Sequence, residues 1–183
     1  SAVARTLERA GRLDRTIEFL PDDETVRQRL NKRIGLTRPE LAVLLAYAKN
    51  SIYDELLPSD LPDDPQLEDD LVKYFPTDLQ QAYKEQIGRH RLRREIIATV
   101  VTNSVINRMG ATFIHVMRER TGQPAAAITR AYAITRGAYR LRELWTGIQD
   151  SFDTSPAAGA VLAFAILFVP SFVIVKLLAR QIG

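Results

Sequence analysis

Among 183 residues, the side chains able to carry chemistry are few and scattered. His90 and His115 are the only histidines, too far apart in sequence and too poor in flanking ligands to suggest zinc. The acidic segment Asp60-Leu61-Pro62-Asp63-Asp64-Pro65 lacks the central glycine and alternating oxygen ligands of a calcium loop. Adjacent carboxylates at Asp63 and Asp64 suit capping of a following helix better than acid–base work. No Gly-x-Gly-x-x-Gly, phosphate loop or Gly-x-Ser-x-Gly occurs. Cysteine is absent, which excludes disulfides, thiolate nucleophiles and thiolate metal sites and is compatible with a reducing compartment. The sequence therefore offers no catalytic, cofactor-binding or metal residue.

Charge is segregated instead. Residues 54–70 hold eight acidic side chains and no basic one, whereas residues 84–94 hold five basic side chains against Glu85 alone. Clustered guanidinium groups such as Arg89, Arg91, Arg93 and Arg94 suit phosphates, but without interleaved aromatics or a nucleic-acid motif no nucleic-acid partner is expected. Solvated faces of opposite sign, or pairs formed within the fold, account for the pattern. Net charge is only +3, because 25 Lys and Arg nearly cancel 22 Asp and Glu.

The elements that would position these groups read as helices. Thr37-Arg38-Pro39-Glu40 has the form of a capping box, and Leu41, Leu44, Leu45, Ala48, Ile52 and Leu56 follow at helical steps until Pro58. Asp64-Pro65 starts a second helix through Leu67, Leu71 and Phe75, closed by Pro76. Thr77-Asp78-Leu79-Gln80 repeats the capping pattern ahead of a long segment with a break at Gly88. Residues 89–109 are dense in β-branched residues, and their length favours a helix over a strand. Phe113 and Met117 mark a short helix before Gly122, and Ile128, Tyr132, Thr135 and Tyr139 lead a last one towards Trp145. No convincing strand pair or internal repeat is present. The fold class expected is all-α: an irregular helical bundle over residues 1–150, with a C-terminal hydrophobic helix in a tail over residues 151–183.

Several runs resemble one family. They include Gly35-Leu36-Thr37-Arg38-Pro39-Glu40-Leu41-Ala42-Val43-Leu44-Leu45-Ala46-Tyr47-Ala48-Lys49, His90-Arg91-Leu92-Arg93-Arg94-Glu95-Ile96-Ile97-Ala98-Thr99 and Val101-Thr102-Asn103-Ser104-Val105-Ile106-Asn107-Arg108. With Gly11-Arg12-Leu13-Asp14-Arg15, Tyr53-Asp54-Glu55-Leu56-Leu57 and Arg130-Ala131-Tyr132 in order, they resemble the C-terminal region of the large bacterial NAD-specific glutamate dehydrogenases, up to about residue 150. The resemblance implies a parent enzyme that oxidatively deaminates L-glutamate to 2-oxoglutarate and ammonium while reducing NAD. It places the NAD and glutamate sites upstream, so no site residue carries over and this chain itself holds no cofactor. The implied partners are the catalytic region of the parent enzyme and its homo-oligomer, in the cytoplasm. The N-terminus, without an initiator Met or an apolar leader, reads as a cut within a longer chain.

The resemblance stops near Ser151. Residues 157–175 carry no charge and, at about 1.5 Å per residue, extend roughly 28 Å as a helix, the thickness of a bilayer core. A membrane-spanning segment is the expectation there; burial against the bundle and an artefact at the junction are the alternatives. The rival reading of the whole chain is a self-standing, membrane-anchored helical interaction module.

Overall fold

The computed structural model describes residues 2–155 together with 173, 174 and 177. Among the described residues every regular element is helical: α1 (Ala2–Arg9), α2 (Asp23–Asn31), α3 (Arg38–Leu56), α4 (Glu68–Val72), α5 (Thr77–Ala82), α6 (Lys84–Gly88), α7 (Arg93–Met109), α8 (Phe113–Thr121), α9 (Ala125–Ala138) and α10 (Leu141–Thr154). Two single 3-10 turns, Leu61–Asp63 and Pro65–Leu67, join α3 to α4. The all-α bundle expected from the sequence is the observed architecture.

α7 is the axis of the bundle. Its Ile97, Ala98, Val101, Thr102, Val105 and Ile106 are all buried, a double stripe that lets one helix pack on several neighbours at once. It lies against α3, the first 3-10 turn, α4 and α9. The β-branched density that left helix and strand hard to separate in the sequence is thus the signature of a helix enclosed on two sides. α3 contributes Leu44, Ala48, Ile52 and Leu56 at uniform four-residue spacing. Leu41 and Leu45, assigned to that stripe in the sequence, instead lie exposed on its flank.

Local signals fixed some boundaries and missed others. At Thr37 the capping box forms in full: the Glu40 amide donates to Thr37 Oγ1, and the Thr37 amide donates to Glu40 Oε2 at 2.7 Å. The pattern at Thr77 does not cap. Pro76 occupies the N-cap there without a side-chain bond, and the Gln80 side chain donates through Nε2 to the Phe75 carbonyl at 2.8 Å. The long segment expected after it breaks at Tyr83, between α5 and α6, rather than running to Gly88. Residues 89–92 form a turn before α7 instead of its first helical turn. Asp64 does cap, accepting from the Gln66 amide at 3.0 Å, but opens a 3-10 turn rather than one continuous helix. Gly110 (φ +89°) and Gly122 (φ +69°) close α7 and α8 in conformations that side chains resist. The helix expected to run towards Trp145 is divided at Arg140, whose φ is +49°, and α10 continues past residue 150 to Thr154.

The uncharged segment 157–175 lies outside the described residues apart from Val173 and Ile174. Those two are helical, and Ile174 is fully buried in the same core as α3 and α7. No helix among the described residues is long and apolar enough to cross a membrane, so the spanning helix expected from the sequence gains no support.

Glu40 links two elements, because Arg29 of α2 donates to both its oxygens at 2.8 and 3.0 Å while it caps α3. The Arg29 guanidinium, followed by the Thr37 amide, holds this carboxyl below its ordinary range. A depressed folded pKa contributes stability above the unfolded value of about 4.3, and that contribution disappears as pH falls through the folded pKa. Glu40→Gln is therefore expected to lower stability at neutral pH and to flatten the acid limb of the urea-midpoint profile. Parallel acid limbs in the two proteins would contradict this.

Candidate functional site

The acidic segment is where the polar chemistry of the bundle converges. Asp54 pairs with Arg12 at 3.0 Å, Glu55 with Arg118 at 2.5 Å, and Asp69 with Lys73 at 2.8 Å. Arg130 of α9 reaches Asp60 at 3.0 Å and Asp64 at 3.1 Å. Of the eight acidic residues at 54–70, each but Glu68 has a cationic partner among the described residues. The apparent acidic face is thus largely neutralised from within, mostly by arginines distant in sequence. Exposed pairs of this kind contribute little individually, typically ~0–1 kcal/mol.

Two nodes differ because they are shielded or serve backbone groups. Arg94, at the start of α7, donates to the carbonyls of Leu57 and Ser59, both at 2.9 Å, and pairs with Asp63. It therefore closes the C-terminal end of α3, where unpaired carbonyls and the helix dipole favour a cation. Arg94 belongs to the basic run that the sequence offered as a phosphate candidate, and its guanidinium is taken up by these contacts.

The second node is Asp70 on α4, 1% exposed. Arg136 of α9, itself 7% exposed, donates to Asp70 Oδ2, and Arg142 of α10 donates to Oδ1. Arg136 also donates to Ser104 Oγ of α7 at 3.1 Å and lies over the Tyr132 ring, 5.8 Å from its centroid. The Tyr132 hydroxyl is 2.9 Å from the Ser104 hydroxyl, and burial raises the Tyr132 pKa above its ordinary value. One carboxylate thus ties α4, α9 and α10 together, and α7 joins through Ser104. Both oxygens of Asp70 accept from guanidinium donors and the group is almost fully buried, so the carboxylate is neutralised and shielded from any substrate. A cavity of about 550 Å³ opens beside this node, but its Lys73 and Arg140 are paired with Asp69 and Glu143 and its other cations with Asp70.

The sequence analysis did not single out Asp70 or Arg136. A signal was present: Arg136 falls on the stripe Ala125, Ile128, Thr129, Tyr132 and Thr135, where a charge on an apolar face demands a partner. His90 stacks edge-on against Phe75, 5.7 Å between centroids, and its Nδ1 accepts from the Leu92 amide at 3.2 Å. His115 lies 3.3 Å from Glu119 one turn along α8, a helix-spaced partner that the sequence reading overlooked. No group of three or more His, Asp or Glu side chains that could hold a metal occurs among the described residues.

Fold and site together define a helical domain whose buried ionisable groups, Asp70 and Arg136, tie its own helices together. The family described as "Glutamate dehydrogenase, C-terminal" matches residues 33–161, and the chain belongs to that family. It is 42% identical over 151 residues to the NAD-specific glutamate dehydrogenase of Halomonas elongata, covering 82% of this chain and 9% of the relative. The Pseudomonas aeruginosa NAD-specific glutamate dehydrogenase is 41% identical over the same 82% of this chain and 9% of its own length. The Mycobacterium tuberculosis NAD-specific glutamate dehydrogenase is 33% identical over 137 residues, 75% of this chain and 8% of that protein. The chain therefore spans under a tenth of the length of these relatives.

Breaking the Asp70 node from one side leaves a buried carboxylate with a single, half-exposed partner. Arg136→Met is expected to destabilise the chain by about 3 kcal/mol, read from urea unfolding. A loss below about 1 kcal/mol, the range of exposed pairs, would show that the node contributes no more than the surface bridges.

Proposed function

We propose that this chain is a non-catalytic accessory domain of a cytoplasmic NAD-specific glutamate dehydrogenase. The parent enzyme would oxidatively deaminate L-glutamate to 2-oxoglutarate and ammonium and reduce NAD, with NAD held outside this chain. The observation that carries the reading is the 42% identity confined to 9% of a relative that bears that name. The chemistry of the chain agrees with it. Hydride transfer requires a pocket that aligns the α-hydrogen of glutamate with a nicotinamide, and the sequence contains no dinucleotide-binding glycine motif to build one. The domain's partners in this reading are the catalytic region of the same polypeptide and, through it, the homo-oligomer.

Purified chain mixed with L-glutamate and NAD is expected to produce no NADH, while an affinity-tagged chain is expected to retain a separately expressed catalytic region of the parent enzyme on a column. Glutamate-dependent NADH that copurifies strictly with this chain would overturn the non-catalytic assignment. Failure to retain the catalytic region would overturn the docking role.

A further inference from the structure

α2 is a helix without a core. None of its 9 residues is buried, and a helix shorter than about 12–15 residues is marginal in water on its own. It is held by the Asp22 cap on the Thr25 amide at 2.7 Å, by Arg29 to Glu40, and by Arg15 to Asp23 at 2.8 Å. Leu30 near its end is 72% exposed, and Ile34 just beyond it is exposed as well. The turn that precedes α2 carries Ile17, also exposed, and Phe19, which is 91% exposed and has a φ of +52°. That backbone region is unfavourable for an aromatic residue and free for glycine, so the fold displays a phenyl ring to water at a strained position.

The apolar groups lie to one side of α2. Asp23, Val26 and Leu30 follow one another at three- and four-residue steps along one stripe, and Asp23 is the residue held by Arg15 of the turn that carries Ile17 and Phe19. Arg29, the contact to α3, is about 100° round the helix from Leu30, so the stripe is turned away from α3. Lys32 and Arg33, between Leu30 and Ile34, form no ion pair among the described residues, whereas Arg27 and Arg29 are paired with Glu24 and Glu40. An apolar patch with a cationic edge has the composition of a protein interface, apolar at the centre and polar at the rim. Its complement is an apolar surface edged by carboxylates.

We propose that Phe19 and Leu30, with Ile17 and Ile34, form the surface by which this domain docks on the catalytic region of the parent enzyme, against an apolar patch edged by carboxylates. The inference rests on the accessory-domain reading. Its occupant follows from the relatives: the family domain, described as C-terminal, begins at residue 33, at the end of α2, and the chain matches only 9% of the Halomonas elongata enzyme. In such a protein this helix stands at the border between the C-terminal domain and the sequence ahead of it. A partner on the same polypeptide is present at high effective concentration, which suits a patch too small to capture a free protein tightly.

The test is the affinity of the immobilised full chain for the separately expressed catalytic region of the parent enzyme, read by biolayer interferometry. Phe19→Gly and Leu30→Gln should each weaken binding about tenfold or more, the loss of one buried apolar side chain, and Lys32→Glu should cost more at low salt than at high salt. Leu79→Gln, at an exposed position on α5, should bind as the unaltered chain does. Phe19→Gly should also keep or exceed the thermal midpoint of the unaltered chain, because glycine adopts a positive φ freely, so lost affinity cannot be attributed to misfolding. An unaltered chain that does not bind the catalytic region would overturn the docking role and this surface together. Binding that Phe19→Gly and Leu30→Gln leave unchanged would overturn the surface alone. Self-association, or uptake by anionic vesicles, that Phe19→Gly abolishes while affinity for the catalytic region stays intact would also overturn it, and would assign the patch to a second copy or to lipid.

Discussion

A carboxylate removed from water must be neutralised, and much of this domain is arranged around that requirement at Asp70. Its two oxygens are taken by Arg136 and Arg142, which lie 66 and 72 residues further along the chain. Hydrophobic contacts alone would let α9 and α10 slide or rotate against α4 at modest cost, because apolar packing is weakly directional. The two guanidinium contacts remove that freedom, and the Arg136 bond to Ser104 extends the same constraint to α7. Arg94 does the corresponding work at the other end of the acidic segment, joining α7 to the end of α3. Whether a buried charge cluster adds net stability over an apolar one is a separate matter; its main effect here is to specify one arrangement.

The same use of charge bears on function. A catalytic carboxylate or cation must be accessible to a substrate, and at the most buried node the charged groups are paired with each other and shielded from solvent. The chemistry attributed to the parent enzyme therefore has no counterpart at this node. The buried hydroxyls without a partner among the described residues, those of Thr102 and Thr129, lie on α7 and α9, outside that node.

How much of this was legible in the sequence depended on range. The Thr37 capping box and the Gly122 stop are set by residues within a few positions of one another and were read correctly, as were four of the six residues assigned to the stripe of α3. Thr77 carried the same local pattern and failed, because Pro76 took the cap and Gln80 bonded to the Phe75 carbonyl. Leu41 and Leu45 satisfied helical periodicity but fell beyond the width of the face that α7 and α9 cover. The ion pairs were the least legible part. Segregation of charge was plain, yet whether residues 54–70 met solvent or arginines depended on a fold that returns α9 and α10 to α4. The family was legible for the opposite reason: long collinear runs carry identity even where their physical roles are hidden.

The most direct test of this account is hydrogen exchange of backbone amides in the chain carrying Asp70→Asn, which keeps the shape of the side chain and removes its charge. If Asp70 fixes the position of α9 and α10, protection should fall in α10 and the last turn of α9, while the α3–α7 pair keeps protection close to that of the parent chain. Unchanged protection in α10, or an equal loss through α3 and α7, would contradict the claim that this one carboxylate positions the C-terminal helices.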